Sequence, residues 1–202
     1  SGINCAVRIC NGTTQDRVRW ILEQLNIDPP DVFVPNLVVP AYYAARWAKK
    51  AGIPTVGILH SDDDFYRAIQ DEFVFGSPHF ALSSLVCVSR ELEKQVSTRR
   101  PRKTEVKRIP YGVPIPEKAV MHKSGRFHLV YVGRLAEKQK RISEVTRALC
   151  RAIREIPGTA AVIYGDGPDK VNVERILSEE GQGLPVQLGG KVPSDQIQNE
   201  LL

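Results

Sequence analysis

No C-x-x-C pair occurs in the sequence, and no histidine stands at metal-ligand spacing beside its four cysteines, Cys5, Cys10, Cys87 and Cys150. That argues against a zinc finger, a zinc ribbon or a thioredoxin-like redox centre, and no metal site is expected. Three of the four cysteines sit in or beside apolar strands. They read as reduced thiols, so a reducing cytoplasm is the expected compartment. No signal-peptide pattern and no run of about 18 apolar residues is present. The sequence begins Ser1-Gly2-Ile3 without methionine, so nothing about targeting follows. G-x-G-x-x-G follows no apolar run, which argues against a dinucleotide oxidoreductase. Neither a repeat of solenoid period nor a low-complexity tract occurs.

What is present is an ordinary globular composition. Apolar residues make up 42% and charged residues 25% of 202 positions, enough to bury a core and too apolar for disorder. The net charge of +5, from 28 basic and 23 acidic residues, is a mild excess compatible with an anionic ligand or membrane surface. The one dense basic run, Arg99-Arg100-Pro101-Arg102-Lys103, lacks the interleaved aromatics of a nucleic-acid site, and none is expected as a partner. It reads as a solvated loop, with contact to an anionic membrane as the alternative.

Short apolar runs alternate with longer amphipathic segments. Residues 3–9, 31–35, 54–59, 85–88 and 106–109 read as strands; residues 16–25, 41–51 and the segment after Ser89 read as helices. Three prolines and a glycine then fall within Pro110-Tyr111-Gly112-Val113-Pro114-Ile115-Pro116, through which neither a helix nor a central strand can run. The alternation restarts with strands at 127–132, 160–164 and 186–188 and helices at 142–156, 170–180 and 194–202. This rhythm implies βαβ units and an α/β fold of two Rossmann-like parallel-sheet units. The expected boundaries are a first domain at 1–109, a linker at 110–125 and a second domain at 126–202.

In open parallel sheets ligands bind beyond the carboxyl ends of the strands. After the strand at 127–132 comes Gly133-Arg134-Leu135-Ala136-Glu137-Lys138-Gln139-Lys140-Arg141. Gly133 lets the backbone approach a ligand closely. Arg134 offers a planar fork for phosphate oxygens and Lys140 a mobile charge. Together they read either as a diphosphate site or as an exposed basic loop. After the next strand, Tyr164-Gly165-Asp166-Gly167-Pro168 reads either as a tight strand-to-helix turn or as the wall of a nucleotide pocket. His60 ends the strand at 54–59, where it is either held by backbone or faces a substrate. Asp62-Asp63-Asp64 follows it. These acids read as a helix N-cap, the alternative being Mg²⁺ or Mn²⁺ held by Asp62 and Asp64 in a metal-dependent GT-A-type transferase.

Taken in order, these segments resemble family-4, GT-B-type glycosyltransferases. The resemblance rests on Val132-Gly133-Arg134-Leu135, Lys140, Tyr164-Gly165-Asp166-Gly167-Pro168 and Leu188-Gly189-Gly190-Lys191-Val192. It rests also on Arg108-Ile109-Pro110-Tyr111-Gly112-Val113, on Val86-Cys87-Val88-Ser89, and on Gly52-Ile53-Pro54-Thr55-Val56 leading to His60. It spans about residues 31–202. It implies two Rossmann-like domains, both incomplete here, and transfer of a glycosyl group from a nucleotide sugar to a hydroxyl of a sugar or lipid-linked acceptor. It implies retention of configuration and no metal or other cofactor. Arg134 and Lys140, with Gly133, would hold the donor diphosphate; Gly165, Asp166 and Gly167 would line the nucleotide pocket; His60 would be catalytic, beside the transferred sugar. A cytoplasmic protein, peripheral to a membrane, fits such an enzyme.

The sequence departs from that pattern in three places: Arg141 stands where the family has glycine, Tyr111 where its linker has asparagine, and Ser61-Asp62-Asp63-Asp64 is an unusual continuation of His60. The family's glycine-rich first loop is missing, and its glutamate pair falls beyond Leu202, so the chain as given is expected to be inactive. A non-catalytic nucleotide-binding module is the other alternative.

Overall fold

The structure is a computed structural model that describes residues 12–113 and 127–201. The expected strand at 3–9, with Cys5 and Cys10, and most of the expected linker lie outside the described residues. The chain divides into two compact units, residues 1–113 and 114–202.

In the first unit, α1 (Thr14–Ile27) opens on a capping box. The Thr13 hydroxyl accepts from the Asp16 amide, and the Asp16 carboxylate accepts from the Thr13 amide. Helix α2 (Val39–Lys50) takes Pro40 in its first turn, where no amide donor is needed, and buries a stripe of Tyr42, Ala44, Ala45 and Ala48. The chain then turns at Gly52, φ 86°, into β1 (Val56–Leu59), α3 (Asp64–Phe73), β2 (Ser84–Cys87), α4 (Arg90–Thr98) and β3 (Glu105–Arg108). The sheet order is β1-β2-β3, all parallel. The strand expected at 31–35 is reduced to a single bridge from Phe33 to Thr55. Pro29, Pro30 and Pro35 lack amide donors, and a strand fenced by prolines cannot extend its ladder.

One core cluster gathers Leu59, Leu85, Cys87, Leu92 and Val96; another gathers Tyr42, Ile69, Phe73 and Leu82. The Cys87 thiol is buried and free, and burial pushes it up to about 11, so it stays protonated at neutral pH.

The second unit repeats the plan: β4 (Phe127–Val132), α5 (Glu137–Lys140), α6 (Ile142–Glu155), β5 (Thr159–Tyr164), α7 (Lys170–Glu180), β6 (Val186–Gly190) and α8 (Ile197–Leu201). Its sheet order is β4-β5-β6, again parallel. Leu135, Ile142, Ile163 and Val173 form its core. Both units are therefore Rossmann-like, with three strands in each sheet among the described residues. The sequence rhythm misses α5, whose four residues are too few to leave a periodic signal.

The acidic run after His60 is a cap. Asp63 precedes α3, and its carboxylate accepts from the Tyr66 amide at 3.0 Å and the Ser61 hydroxyl at 2.7 Å. Asp62 accepts from Arg67 Nε at 2.9 Å and Gln95 Nε2 at 3.3 Å. Among the described residues no group of three or more acids, histidines or cysteines is placed to hold a metal. Hydrogen bonding lowers both carboxyls, Asp62 chiefly through Arg67 and Asp63 chiefly through the Tyr66 amide. A depressed carboxyl contributes stability that is present above its unfolded value and lost as pH falls through the folded one. Asp63→Ala is therefore expected to cost about 1 kcal/mol at pH 7. That difference should shrink below about pH 4, as denaturant unfolding at the two pH values will show. An equal loss at both would contradict the cap.

Candidate functional site

The segment leaving β4 does not turn away at once. The Gly133 amide donates to the Tyr164 carbonyl at 3.0 Å, the Leu135 amide to the Asp166 carbonyl at 3.0 Å, and the Asp169 amide to the Leu135 carbonyl at 3.1 Å. The loops after β4 and β5 are thus bonded edge to edge, and Leu135 between them is fully buried. Asp169 completes the junction: its carboxylate accepts from the Glu137 amide at 2.8 Å, at the start of α5.

Contact this close requires glycine. A Cβ on Gly165 would lie 1.9 Å from the Gly133 carbonyl oxygen, and one on Gly167 would lie 2.3 Å from that of Leu135. Gly165 also has φ 154°, a region that side chains other than glycine's avoid. On the other side the Gly165 amide donates to the Gly190 carbonyl at 2.7 Å, which joins the loop after β6. A bulge between Ile163 and Tyr164 shifts the register so that Tyr164 pairs with Gly190. The ring of Tyr164 crosses the place where a Cβ on Gly189 would stand, 2.4 Å away. The Tyr164 hydroxyl donates to Glu200 on α8 at 2.9 Å.

Beyond these three strand ends opens a cavity of about 450 Å³. Its lining combines backbone at Gly133, Gly165 and Gly167 with the side chains of Arg134, Asp166 and Lys191. Arg134 and Lys191 are exposed, and neither is ion-paired with any described residue. The Asp166 carboxylate accepts from the Gly167 amide at 2.9 Å. The cavity is therefore a backbone-built concavity with two flexible cations at its rim, a form suited to an anion.

The structure brings five of the expected residues to this cavity: Gly133, Arg134, Gly165, Asp166 and Gly167. Lys140 does not line it; it is exposed at the end of α5. Lys191 lines it and was not among the expected site residues. Its signal was its place directly after Gly189-Gly190, at the end of the third strand. Arg141 joins α5 to α6 with φ 49° and ψ 45°. This left-handed conformation gives the physical reason for the glycine that the resembling family places there.

His60 belongs to the first unit. Its Nε2 bonds to Asn36 Oδ1 at 2.8 Å, and its Nδ1 bonds to the Tyr111 hydroxyl. The Tyr111 ring lies nearly parallel to it, at 11°. Side chains rather than backbone hold this histidine. Asn36 Oδ1 accepts, so Nε2 carries the proton and Nδ1 accepts from the phenol.

No protein-family model matches the sequence, and no curated protein matches it significantly. Solved structures do match. The lipopolysaccharide outer core galactosyltransferase WaaB, in its apo form, superposes with a TM-score of 0.65 at 18% identity, over 93% of this chain and 52% of its own. TarM of S. aureus, a point mutant in complex with fondaparinux, alpha-GlcNAc-glycerol and UDP, gives 0.66 at 12% identity, over 90% and 38%. The fold is of the GT-B type. A UDP-N-acetylglucosamine 2-epimerase from Rickettsia bellii shares it, with a TM-score of 0.50 at 11% identity, over 90% and 50%. The chain thus spans between 38% and 52% of the length of these GT-B proteins.

Two substitutions test the loop junction. Gly165→Ala forces a methyl group into backbone and is expected to cost about 1–3 kcal/mol or more. Gly112→Ala, with nothing within 4 Å of its Cβ, should be near neutral in the same unfolding assay. Arg141→Gly relieves a left-handed residue at the cost of a more flexible unfolded chain. Stability is expected to stay level or rise by up to about 1 kcal/mol; a fall of that size would show that Arg141 is not strained.

Proposed function

We propose that this chain is part of a glycosyltransferase whose second unit holds the diphosphate of a nucleotide-sugar donor between Arg134 and Lys191. The observation that carries the reading is the pair of unpaired cations beside a glycine-walled cavity at the carboxyl ends of three parallel strands. As the bond from the anomeric carbon to the diphosphate breaks, its electron pair leaves with the phosphate oxygen. The guanidinium fork and the ammonium would stabilise that charge, and the reading calls on no metal. The acceptor is a hydroxyl of a sugar or a lipid-linked sugar, and the resemblance of the motifs favours retention of configuration. By the same resemblance, His60 is the group proposed to contact the transferred sugar. The UDP in the TarM complex makes UDP the first nucleotide to try.

Nucleotide-sugar epimerisation is the second reading, because a 2-epimerase shares the fold. Both readings use a nucleoside diphosphate, so the cavity is tested first. Titration calorimetry of UDP, with other nucleoside diphosphates in parallel, is expected to show saturable binding. Arg134→Ala and Lys191→Ala should each weaken it about tenfold, with circular dichroism unchanged. Lys140→Ala, away from the cavity, should weaken it less. Unchanged affinity in a folded Arg134→Ala protein would remove the diphosphate from this site. Conversion of UDP-N-acetylglucosamine to its C2 epimer without an acceptor would favour the second reading.

A further inference from the structure

His60 follows β1 and meets partners from two other segments of the first unit. Asn36 comes from the turn before α2, and Tyr111 from the segment that leaves β3. The Nε2–H donates to Asn36 Oδ1 at 2.8 Å, and Nδ1 accepts from the Tyr111 hydroxyl. A neutral imidazole has one donor and one acceptor, so both of its nitrogens are engaged. The ring centroids of His60 and Tyr111 lie 5.8 Å apart, with the ring planes at 11°. With the hydroxyl bonded to Nδ1, this places the phenol at the imidazole edge and close to its plane, where the Nδ1 lone pair lies.

The two partners are held differently. Asn36 follows the buried Pro35, and Leu37 after it has φ 59°, a conformation that leucine ordinarily avoids. The Leu37 side chain is 59% exposed, so burial does not explain the turn. The one hydrogen bond that Asn36 makes among the described residues is to His60. Tyr111 is 61% exposed, and no backbone hydrogen bond ties residues 110–113 to any described residue. Its hydroxyl, too, is bonded to His60 alone.

We propose, on the reading that His60 contacts the transferred sugar, that Asn36 and Tyr111 are its positioning residues and that the Tyr111 hydroxyl stands in for a hydroxyl of that sugar. Asn36 fixes which way the ring faces. With Nε2 committed to Asn36, the sugar meets His60 as a donor to Nδ1, and it does so by displacing the phenol. One O–H···N bond breaks and one forms, and no proton leaves the imidazole. Tyr111 is the partner that gives way, because its side chain is mostly exposed and its backbone unbonded. Asn36 is set in a turn between two buried prolines, Pro35 and Pro40. His60 thereby selects sugars that present a hydroxyl to it, since an analogue without one would displace Tyr111 and leave Nδ1 unpaired.

Histidine labelled with nitrogen-15 in the full chain gives a readout that needs no turnover. At mildly alkaline pH the His60 signals, assigned among the four histidines by their loss in His60→Asn, should show a protonated Nε2 and a hydrogen-bonded Nδ1. Tyr111→Phe keeps the ring and should move the Nδ1 resonance alone, whereas Asn36→Ala should move that of Nε2. Diethyl pyrocarbonate attacks a free imidazole lone pair. It should modify His60 about three- to tenfold faster in Tyr111→Phe, as followed by mass spectrometry of the His60 peptide. A role in packing alone would leave both readouts unchanged. UDP-hexoses should restore the slow rate in Tyr111→Phe, and UDP alone should not. Wild-type resonances and rate in Tyr111→Phe would overturn the positioning role. UDP-hexoses that bind by calorimetry yet leave His60 as reactive as before would overturn the exchange of hydroxyls. Absence of any UDP binding to the wild-type chain would count against the nucleotide cavity of the second unit instead, and the resonances would still decide whether Asn36 and Tyr111 hold His60.

Discussion

The candidate site depends on one close approach of backbone to backbone. The loops after β4 and β5 touch through the carbonyls of Gly133 and Leu135 and the α-carbons of Gly165 and Gly167. No side chain can stand between them. This contact fixes where Arg134 leaves the sheet, buries Leu135 as its anchor, and brings Asp169 within reach of the Glu137 amide. The bond from Gly165 to Gly190 extends the arrangement to the third strand. The floor of the cavity is therefore backbone, which has little conformational freedom left to lose on binding. The rim is two long cations that retain theirs.

Parallel sheets have two chemically different edges, and the two units differ in what those edges carry. In the second unit the carboxyl ends of the strands carry the cavity, as parallel-sheet topology favours. In the first unit the opposite, amino edge is the unusual one: three connections free of acids, cross-bonded through Thr55, Ser83 and Thr104. Helix-to-strand connections of this kind are ordinarily solvated surface segments. Here the third connection concentrates arginine, at Arg99, Arg100 and Arg102.

Several features that looked functional in the sequence have local structural causes. The D-x-D spacing after β1 caps α3 through Asp63, and Asp62 serves Arg67 and Gln95. Arg141 occupies a left-handed turn without glycine's freedom and pairs with Glu144 at 2.6 Å. The two glycines around Asp166 are demanded by the loop junction itself. They would be needed there even if the cavity bound nothing, so their presence alone does not mark a nucleotide wall.

The sequence by itself determined most of the elements and their order. Helix caps act over three residues, as at Thr13, Asp63 and Ser89, and alternating apolar runs mark strands such as 127–132 and 159–164. Such signals are local, so a reader of the sequence recovers them. The strand expected at 31–35 failed because proline's missing donors outweighed its apolar residues. The four-residue α5 is too short to leave a period. Only the tertiary structure decided that Lys191 rather than Lys140 lines the cavity, and that His60 rests on Asn36 and Tyr111. Those pairings join positions from 24 to 51 residues apart at His60 alone. They are fixed by strand register and loop packing, and no periodicity along the chain encodes such long-range contacts.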